Sequence, residues 1–257
     1  MLKYQKILLS SLLLLILVLV IDAVVAVSTG WYFGIVLATA GLLAYGSISI
    51  RSGFYSDVIC ALDSREKVIA LTFDDGPDEQ VTPQVLDVLK KHKVQAVFFC
   101  VGSKVLKNPG LIERMDNEGH VIGGHSYSHH FFFDLFPAKK MQEEMMKTEK
   151  LVQRVIRKKI RMFRPPYGVT NPTLARTLRK MNYHVIGWSL KSKDTVIRDE
   201  QELLKRLTSK LGAAEIILLH DTKQHIVTVL DKFINFALHN GYRFERLDNL
   251  TGIEAYE

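Results

Sequence analysis

Residues 68–77 read Val-Ile-Ala-Leu-Thr-Phe-Asp-Asp-Gly-Pro, a short, mostly apolar run that ends in two carboxylates and a Gly-Pro turn. An apolar run of this length, bounded by turn residues, is typical of a buried strand. Similar runs recur from Lys67 onward, and amphipathic stretches of helical character separate them. This alternation favours a parallel sheet with helices packed outside it.

The sequence predicts one domain of α/β class. Its seven strand candidates lie at 68–73, 96–101, 121–123, 161–164, 183–188, 215–219 and 242–247. Between them, helical stretches are predicted at 139–158, 172–181, 200–211 and 226–240. Neither an internal repeat of solenoid spacing nor a low-complexity linker divides this part of the sequence. We therefore predict a barrel-like domain over 67–257, preceded by a linker over 53–66.

The first 52 residues are predicted to be a membrane anchor. Two nearly uncharged apolar runs, at 7–27 and 31–50, each have the length of about 20 residues that a helix needs to cross a bilayer. Only Ser28, Thr29 and Gly30 separate them, so the predicted arrangement is a two-helix transmembrane hairpin. An alternative interpretation makes the first run a signal peptide, cleaved near 23–26. Asp22 interrupts that run, and we expect it to be protonated or to lie at the membrane interface.

The chain is basic, with a formal net charge of +7. Such a charge fits a protein that lies against anionic lipid or an anionic polymer, or one that binds nucleic acid. The basic residues between Arg154 and Arg161 are interpreted as a solvated helix face, because no recognisable nucleic-acid-binding module accompanies them. Membrane lipid is therefore a predicted partner and nucleic acid is not. The cysteines, Cys60 and Cys100, do not have the spacing of a disulfide framework or a zinc knuckle.

Polar side chains follow several predicted strands at their carboxyl ends. In parallel α/β folds the loops at these ends share one face, where catalytic groups gather. The side chains are Asp74 and Asp75 after the first strand, His125 and His129 after the third, Arg164 at the end of the fourth, Asp194 after the fifth and His220 after the sixth. Because five strands contribute, we expect these side chains to form one site.

Two of these histidines suggest a metal site. His125 and His129 are four residues apart, and on one helical turn this spacing places both imidazoles on the same face. With a carboxylate from the first strand they make a set of two histidines and one carboxylate, which leaves coordination positions for water, as a hydrolytic metal needs. Taken alone, the Asp-Asp-Gly-Pro run is more often a strand-ending turn or a helix cap than a catalytic site.

Hydrolysis at a metal also needs a base, an acid and a donor that faces the oxyanion. The aspartate of the pair that does not bind the metal, His220 and the backbone after Arg164 are candidates for these roles. Arg164 ends a strand near several carboxylates, and we expect its guanidinium to orient one of them.

Four motifs, in this order, resemble the polysaccharide deacetylase family, also called the NodB-homology or carbohydrate esterase family four proteins. They are Thr72-Phe73-Asp74-Asp75-Gly76-Pro77, Gly123-Gly124 followed by His125 to His129, Arg164-Pro165-Pro166-Tyr167, and Leu218-Leu219-His220-Asp221. The similarity covers residues 67–247. It implies a distorted seven-stranded (β/α) barrel, a divalent ion that is usually Zn²⁺, and hydrolysis of acetyl groups on chitin-like, peptidoglycan or related sugars.

The resemblance also implies a role for each matching site residue. These roles are metal ligation by Asp75, His125 and His129, general base catalysis by Asp74, orientation of the base by Arg164, an oxyanion contact from the backbone amide of Tyr167, and general acid catalysis by His220. In one motif the chain departs from the family, since residues 188–195 read Trp-Ser-Leu-Lys-Ser-Lys-Asp-Thr. Lys191 and Thr195 replace a typical aspartate and tryptophan, whereas Asp194 is kept and is expected to orient His220. The change bears on the substrate more than on the reaction.

Three functional hypotheses follow. The first is hydrolysis of N-acetyl or O-acetyl groups on an amino-sugar polymer, the second is deacylation of a lipid-linked sugar, and the third is a catalytically silent glycan-binding membrane protein. Lys3, Lys6 and Arg51 flank the two spans, and the positive-inside rule applied to them favours a cytoplasmic domain. Glycans of the cell envelope lie outside the cytoplasm, and on that ground we predict an extracytoplasmic domain.

Overall fold

The computed structural model describes residues 2–257. The helices are α1 (Lys3–Asp22), α2 (Gly30–Ile48), α3 (Val81–His92), α4 (Gly102–Lys107), α5 (Pro109–Asn117), α6 (Ala138–Ile156), α7 (Pro172–Lys180), α8 (Glu200–Lys210), α9 (His225–His239) and α10 (Leu247–Thr251). The strands are β1 (Val58–Ile59), β2 (Val68–Asp74), β3 (Ala96–Cys100), β4 (Val121–Gly124), β5 (Met162–Phe163), β6 (His184–Ile186), β7 (Leu190–Lys191), β8 (Ala214–His220) and β9 (Arg243–Phe244).

The strands form one parallel sheet in the order β1-β6-β5-β4-β3-β2-β8-β7, with β9 paired to the start of β2. β1 and β7 are the two ends of this sequence of paired strands, so the sheet is curled rather than closed by hydrogen bonds between strands. Arg164 crosses the inside of the curl and links strands that are not neighbours in the sheet. Its guanidinium donates to Thr72 and Asp74 of β2 and to the carbonyls of Ile186 and Gly187 at the end of β6. The predicted fold, a distorted (β/α) barrel, is confirmed.

Alternation along β2 explains how this strand leads to the site. Ile69, Leu71 and Phe73 pack into the core between the sheet and its helices, whereas Val68 and Ala70 pack into a second core inside the curl. Because side chains of a strand alternate between its two faces, Thr72 and Asp74 continue the inner row. The strand therefore delivers a carboxylate to the carboxyl end of the barrel interior.

Each of the seven predicted strands has a counterpart, but several are shorter than predicted. Predicted strand 161–164 pairs only at Met162–Phe163, and predicted strand 242–247 pairs only at Arg243–Phe244 before α10 begins at Leu247. The two additional strands, β1 and β7, have two residues each. Apolar periodicity requires several residues to become visible, so strands this short leave little trace in the sequence.

The predicted pair of apolar helices is present, with different bounds. α1 and α2 pack side by side, and Thr39 donates a hydrogen bond of 2.8 Å to Ser11 across them. α1 ends at Asp22 rather than at residue 27, because the Asp22 carboxylate accepts hydrogen bonds from the Val27 amide and the Tyr32 hydroxyl and thereby closes the turn. Both helices have the length and hydropathy of membrane spans, and only 6% of each span is buried.

The base of this helical pair is joined to the barrel by direct contacts. The Tyr55 hydroxyl donates to the Leu43 carbonyl of α2, and the Thr170 amide donates to the Ser47 carbonyl. Phe54 fills the space above Gly46, where a side chain larger than hydrogen would collide with its ring. Residues 53–66, predicted as a linker, therefore include packed aromatic side chains and the strand β1.

Candidate active site and metal centre

Asp75, His125 and His129 bring their ligand atoms within 4.8 Å of one another. The Asp75 carboxylate lies 3.5 Å from Nε2 of His125 and 3.1 Å from Nε2 of His129. His125 is fixed by a hydrogen bond of 2.7 Å between its Nδ1 and the Arg164 carbonyl, which leaves Nε2 facing the carboxylate. This backbone partner is the kind of contact that orients metal-ligating histidines.

The chemistry of these three donors fits a divalent metal ion. Two imidazoles and one carboxylate are the donor set of hydrolytic zinc sites and leave coordination positions open. Burial raises the pKa of Asp75, but hydrogen bonds from His125 and His129 outweigh it and hold the pKa well below its ordinary range. Asp75 is therefore ionised, as metal ligation requires.

The loops that present these three donors are held in unusual conformations. Asp75, Ser126, His129 and Tyr167 all have positive φ values, between 49° and 72°, although none is glycine. Such conformations cluster at functional sites, where the surrounding structure holds them in place. Glu144 of α6 contributes to this hold, because its carboxylate accepts hydrogen bonds from the amides of residues 127 and 128 and from the Ser128 hydroxyl.

Asp74 lies beside the group of Asp75, His125 and His129 and is oriented by Arg164. Its Oδ1 accepts a hydrogen bond of 2.7 Å from the Arg164 guanidinium, and its Oδ2 lies 4.0 Å from Nε2 of His125. Arg164 is fully buried, over the ring of Phe99. The bond from this buried guanidinium fixes the orientation of the Asp74 carboxylate.

His220 faces the same three-residue group from the end of β8. Nδ1 of its ring lies 2.7 Å from Oδ1 of Asp194, and Nε2 lies 4.0 Å from Asp75. Burial lowers the pKa of His220, but the hydrogen bond to Asp194 and the nearby carboxylates raise it to about 9. Asp194 is itself fully buried and also accepts from the Ser192 hydroxyl and the His220 amide.

These groups surround a cavity of about 240 Å³ at the carboxyl end of the barrel. The cavity is lined by Asp74, Asp75, His125, His129, Tyr167, Gly168, Trp188, Lys191, Thr195, Leu218 and His220. Lys191 and Thr195, the two replacements in the divergent motif, are thus part of its wall. The Lys191 ammonium lies 5.4 Å from the ring centre of Trp188. The structure brings all the sequence-predicted site residues to this cavity, Arg164 and Asp194 behind its lining.

Sequence reasoning missed two residues that support the site. Glu144 lies in the middle of an ordinary amphipathic helix, and nothing in its neighbourhood distinguishes it from the acidic residues around it. Thr72 occurs within an apolar strand, and its hydroxyl accepts from Arg164 while donating to the Ile217 carbonyl. A buried threonine in a strand that ends in two carboxylates was the available signal.

Two histidines and one carboxylate lie together at the carboxyl end of a curled parallel barrel, beside a carboxylate held by a buried arginine and a histidine held by a buried aspartate. This arrangement suits a divalent ion at a hydrolytic site. Comparison with known proteins identifies its class. A family model described as polysaccharide deacetylase matches residues 61–186. The chain belongs to the polysaccharide deacetylase family, as its motifs predicted.

Three similar proteins show how far the likeness extends. The peptidoglycan-N-acetylglucosamine deacetylase PgdA of Listeria monocytogenes is 36% identical over 72% of this chain, which spans only 39% of that relative. The peptidoglycan-N-acetylmuramic acid deacetylase PdaA of Bacillus subtilis is 33% identical over 73% of both chains. The solved structure of the Bc1960 peptidoglycan N-acetylglucosamine deacetylase is 30% identical, with a TM-score of 0.74 over 78% of this chain and 95% of that one.

Proposed function

We propose that this protein is a metal-dependent deacetylase that removes acetyl groups from amino sugars of a cell-envelope glycan such as peptidoglycan. The observation that carries the proposal is the pairing, around one cavity, of the three-residue metal group with Asp74 on one side and His220 on the other. The printed activities of the relatives support the same substrate class.

Zn²⁺ is the ion we propose for the group of Asp75, His125 and His129. Nitrogen and carboxylate ligands in this number suit zinc, and the ion would supply Lewis-acid polarisation of the acetyl carbonyl and acidification of water. The roles of the protein groups follow from their positions. Asp74, held by Arg164, accepts the proton of the attacking water, and the backbone amide of Tyr167 is the proposed oxyanion donor.

His220 is the proposed general acid, and its environment suits that role. With a pKa of about 9, the imidazole carries its proton at neutral pH and can transfer it to the departing amine. The protonated form is present below this pKa and is lost as the pH rises through it. Asp194 thus keeps the acid charged over the neutral range.

Asp194→Asn should shift the alkaline limit of activity to lower pH, because the substitution removes the charged group that raises the pKa of His220. The pH profile of kcat/KM measures the shift. Ser192→Ala is a matched control, since it removes a hydrogen bond to Asp194 but leaves the carboxylate and His220 in place. An unchanged alkaline limit in Asp194→Asn would show that His220 is not the acid.

We propose that α1 and α2 anchor this domain in a membrane, with residues 1–52 as the anchor and the catalytic domain extending to the end of the chain. Their apolar surfaces are exposed along nearly their whole length, which an aqueous environment would disfavour. Glycan substrates of the envelope favour a domain on the extracytoplasmic face. Retention of α1, rather than its removal as a cleaved signal peptide, is supported by the hydrogen bond of 3.3 Å from the Tyr4 amide of α1 to the Phe54 carbonyl.

Sidedness can be tested with a reporter enzyme that is active only outside the cytoplasm. Fused after Glu257, the reporter should be active, and fused into the turn at Thr29 it should be inactive, because the two positions lie on opposite faces of the membrane. The reverse pattern would place the domain in the cytoplasm. Such a result would replace the polymer with a lipid-linked sugar as the substrate.

Released acetate tests the reaction itself. Purified full-length protein should release acetate from acetylated peptidoglycan fragments or chitin-like oligomers, and a chelator should stop the release until Zn²⁺ is restored. Including lipid-linked acetylated sugars among the substrates distinguishes deacylation of a lipid-linked sugar from deacetylation of a polymer. If the zinc-loaded protein released acetate from none of these substrates, the third hypothesis, a catalytically silent glycan-binding protein, would be supported. The intact group of Asp75, His125 and His129 argues against that hypothesis.

A further inference from the structure

An exposed apolar loop lies beside the mouth of the active-site cavity. Phe131 is 68% exposed, Phe132 53% and Leu135 71%, although hydrophobic side chains of this size are usually buried. The ring of Phe131 contacts the ring of Tyr167, which is half exposed and contacts the ligand His129. We call residues 131–135 the rim loop.

The rim loop is tied to the end of α2 through two short connections. The Asn171 side chain donates to the carbonyl of Asp134 within the loop. The preceding residue, Thr170, donates from its amide to the Ser47 carbonyl at the end of α2 with a distance of 3.0 Å. The loop is therefore held next to the point where the apolar helix α2 meets the barrel.

The contacts of α7 place this part of the barrel directly against the two apolar helices. Ala175 of α7 packs with Phe54 and Tyr55 against Tyr4 and Ile7 of α1 and Leu43 of α2. Leu43 precedes the end of α2 by five residues, or roughly 7.5 Å along the helix axis. The barrel thus touches the two helices within their apolar length, and α7 begins directly after Thr170 and Asn171.

Positive charges lie on the same side of the barrel. Arg176 and Arg179 of α7 are exposed and line a cleft of about 500 Å³ at the start of α1, in which they outnumber the one acidic residue, Asp57. Exposed aromatic and aliphatic side chains with neighbouring basic residues are the combination found on surfaces that rest in the interface of an anionic bilayer.

We infer that the rim loop inserts into the surface of the same bilayer that holds α1 and α2, with Arg176 and Arg179 facing lipid phosphates, so that the active-site cavity opens at the membrane surface. The inference rests on the proposed membrane anchoring. It adds that the glycan this site takes is one within reach of the lipid, either carried on a lipid or newly assembled at the membrane. The contact of Ile50, just after α2, with Trp188 and Leu218 of the cavity wall places the cavity close to the same surface.

Tryptophan fluorescence measures the contact directly. Full-length protein carrying Phe132→Trp is reconstituted in vesicles of phosphatidylcholine and phosphatidylglycerol, with and without brominated acyl chains, and the signal of the wild-type tryptophans is subtracted. Brominated lipid should quench the introduced tryptophan. The matched control is Leu238→Trp, because Leu238 is similarly exposed. Leu238 lies in the last turn of α9. This helix begins near the active-site end of β8 and runs toward the opposite end of the barrel. Equal quenching of the two variants, or none, would overturn the inference.

A second measurement tests the consequence for the substrate. In the double variant Phe132→Ser/Leu135→Ser, deacetylation of a lipid-anchored acetylated sugar in the same vesicles should fall about tenfold or more. Burial of one apolar side chain of this size in lipid strengthens the membrane contact by about that factor. Deacetylation of a soluble acetylated oligosaccharide should stay within about twofold. An equal loss on both substrates would show that the loop binds sugar and not lipid, and no loss on either would also contradict the inference. If wild-type protein hydrolysed neither substrate, the proposed function would fail, and quenching alone would decide the lipid contact.

Discussion

His125→Ala should remove both the bound metal and the activity. His125 provides the buried member of the three-residue group, and its Nε2 faces Asp75 because Nδ1 is held by the Arg164 carbonyl. Alanine leaves one histidine and one carboxylate, fewer protein ligands than zinc sites retain. Metal analysis of the purified protein should therefore show loss of zinc to background, and acetate release should cease.

His130→Ala provides the comparison within the same sequence motif. The His130 ring lies against Phe136 and accepts from the Phe132 amide, and it is outside the three-residue group. This variant should keep its zinc and most of its activity. If His125→Ala retained stoichiometric zinc while its thermal unfolding resembled that of the wild type, the ligand assignment would be wrong.

The convergence of the candidate site residues could be predicted from the sequence because the fold places them by a simple rule. Asp74, His125 and His220 all follow apolar runs, and the carboxyl ends of parallel strands meet at one edge of the sheet. Convergence of these side chains followed once the strands were recognised. The family resemblance then supplied the separate roles of Asp74 and Asp75, which the pattern alone left open.

Other features depend on contacts between distant parts of the chain and were not predictable from local pattern. The Arg164 guanidinium was expected to orient a carboxylate, but its hydrogen bonds to the end of β6 became visible only in the fold. Glu144 supports the ligand loop across 16 residues of sequence. α1 ends before the predicted residue 27 because the Asp22 carboxylate accepts a hydrogen bond from the backbone amide five residues later. A hydropathy pattern contains no information about such a hydrogen bond.

Asp74→Asn should retain the metal but lose turnover by about 10²-fold or more, the scale expected for loss of a general base. Asparagine has nearly the same shape and can still accept the hydrogen bond from Arg164, but it cannot take a proton from water. The three ligands are untouched, so zinc content should stay stoichiometric. KM for a soluble substrate should change little, because the loss concerns proton transfer in the transition state.

The same substitution leaves the Arg164 guanidinium buried without a negative partner, and removing one member of a buried ion pair can destabilise a fold by about 3–5 kcal/mol. A loss of activity must therefore be separated from a loss of stability. Thr72→Val serves this purpose, since it removes a different hydrogen bond to Arg164 within the same buried strand and leaves Asp74 in place. Thr72→Val should lower the thermal midpoint yet keep turnover within a few-fold of wild type. Comparable losses of turnover in the two variants would mean that the packing around Arg164, and not a base at Asp74, limits the reaction.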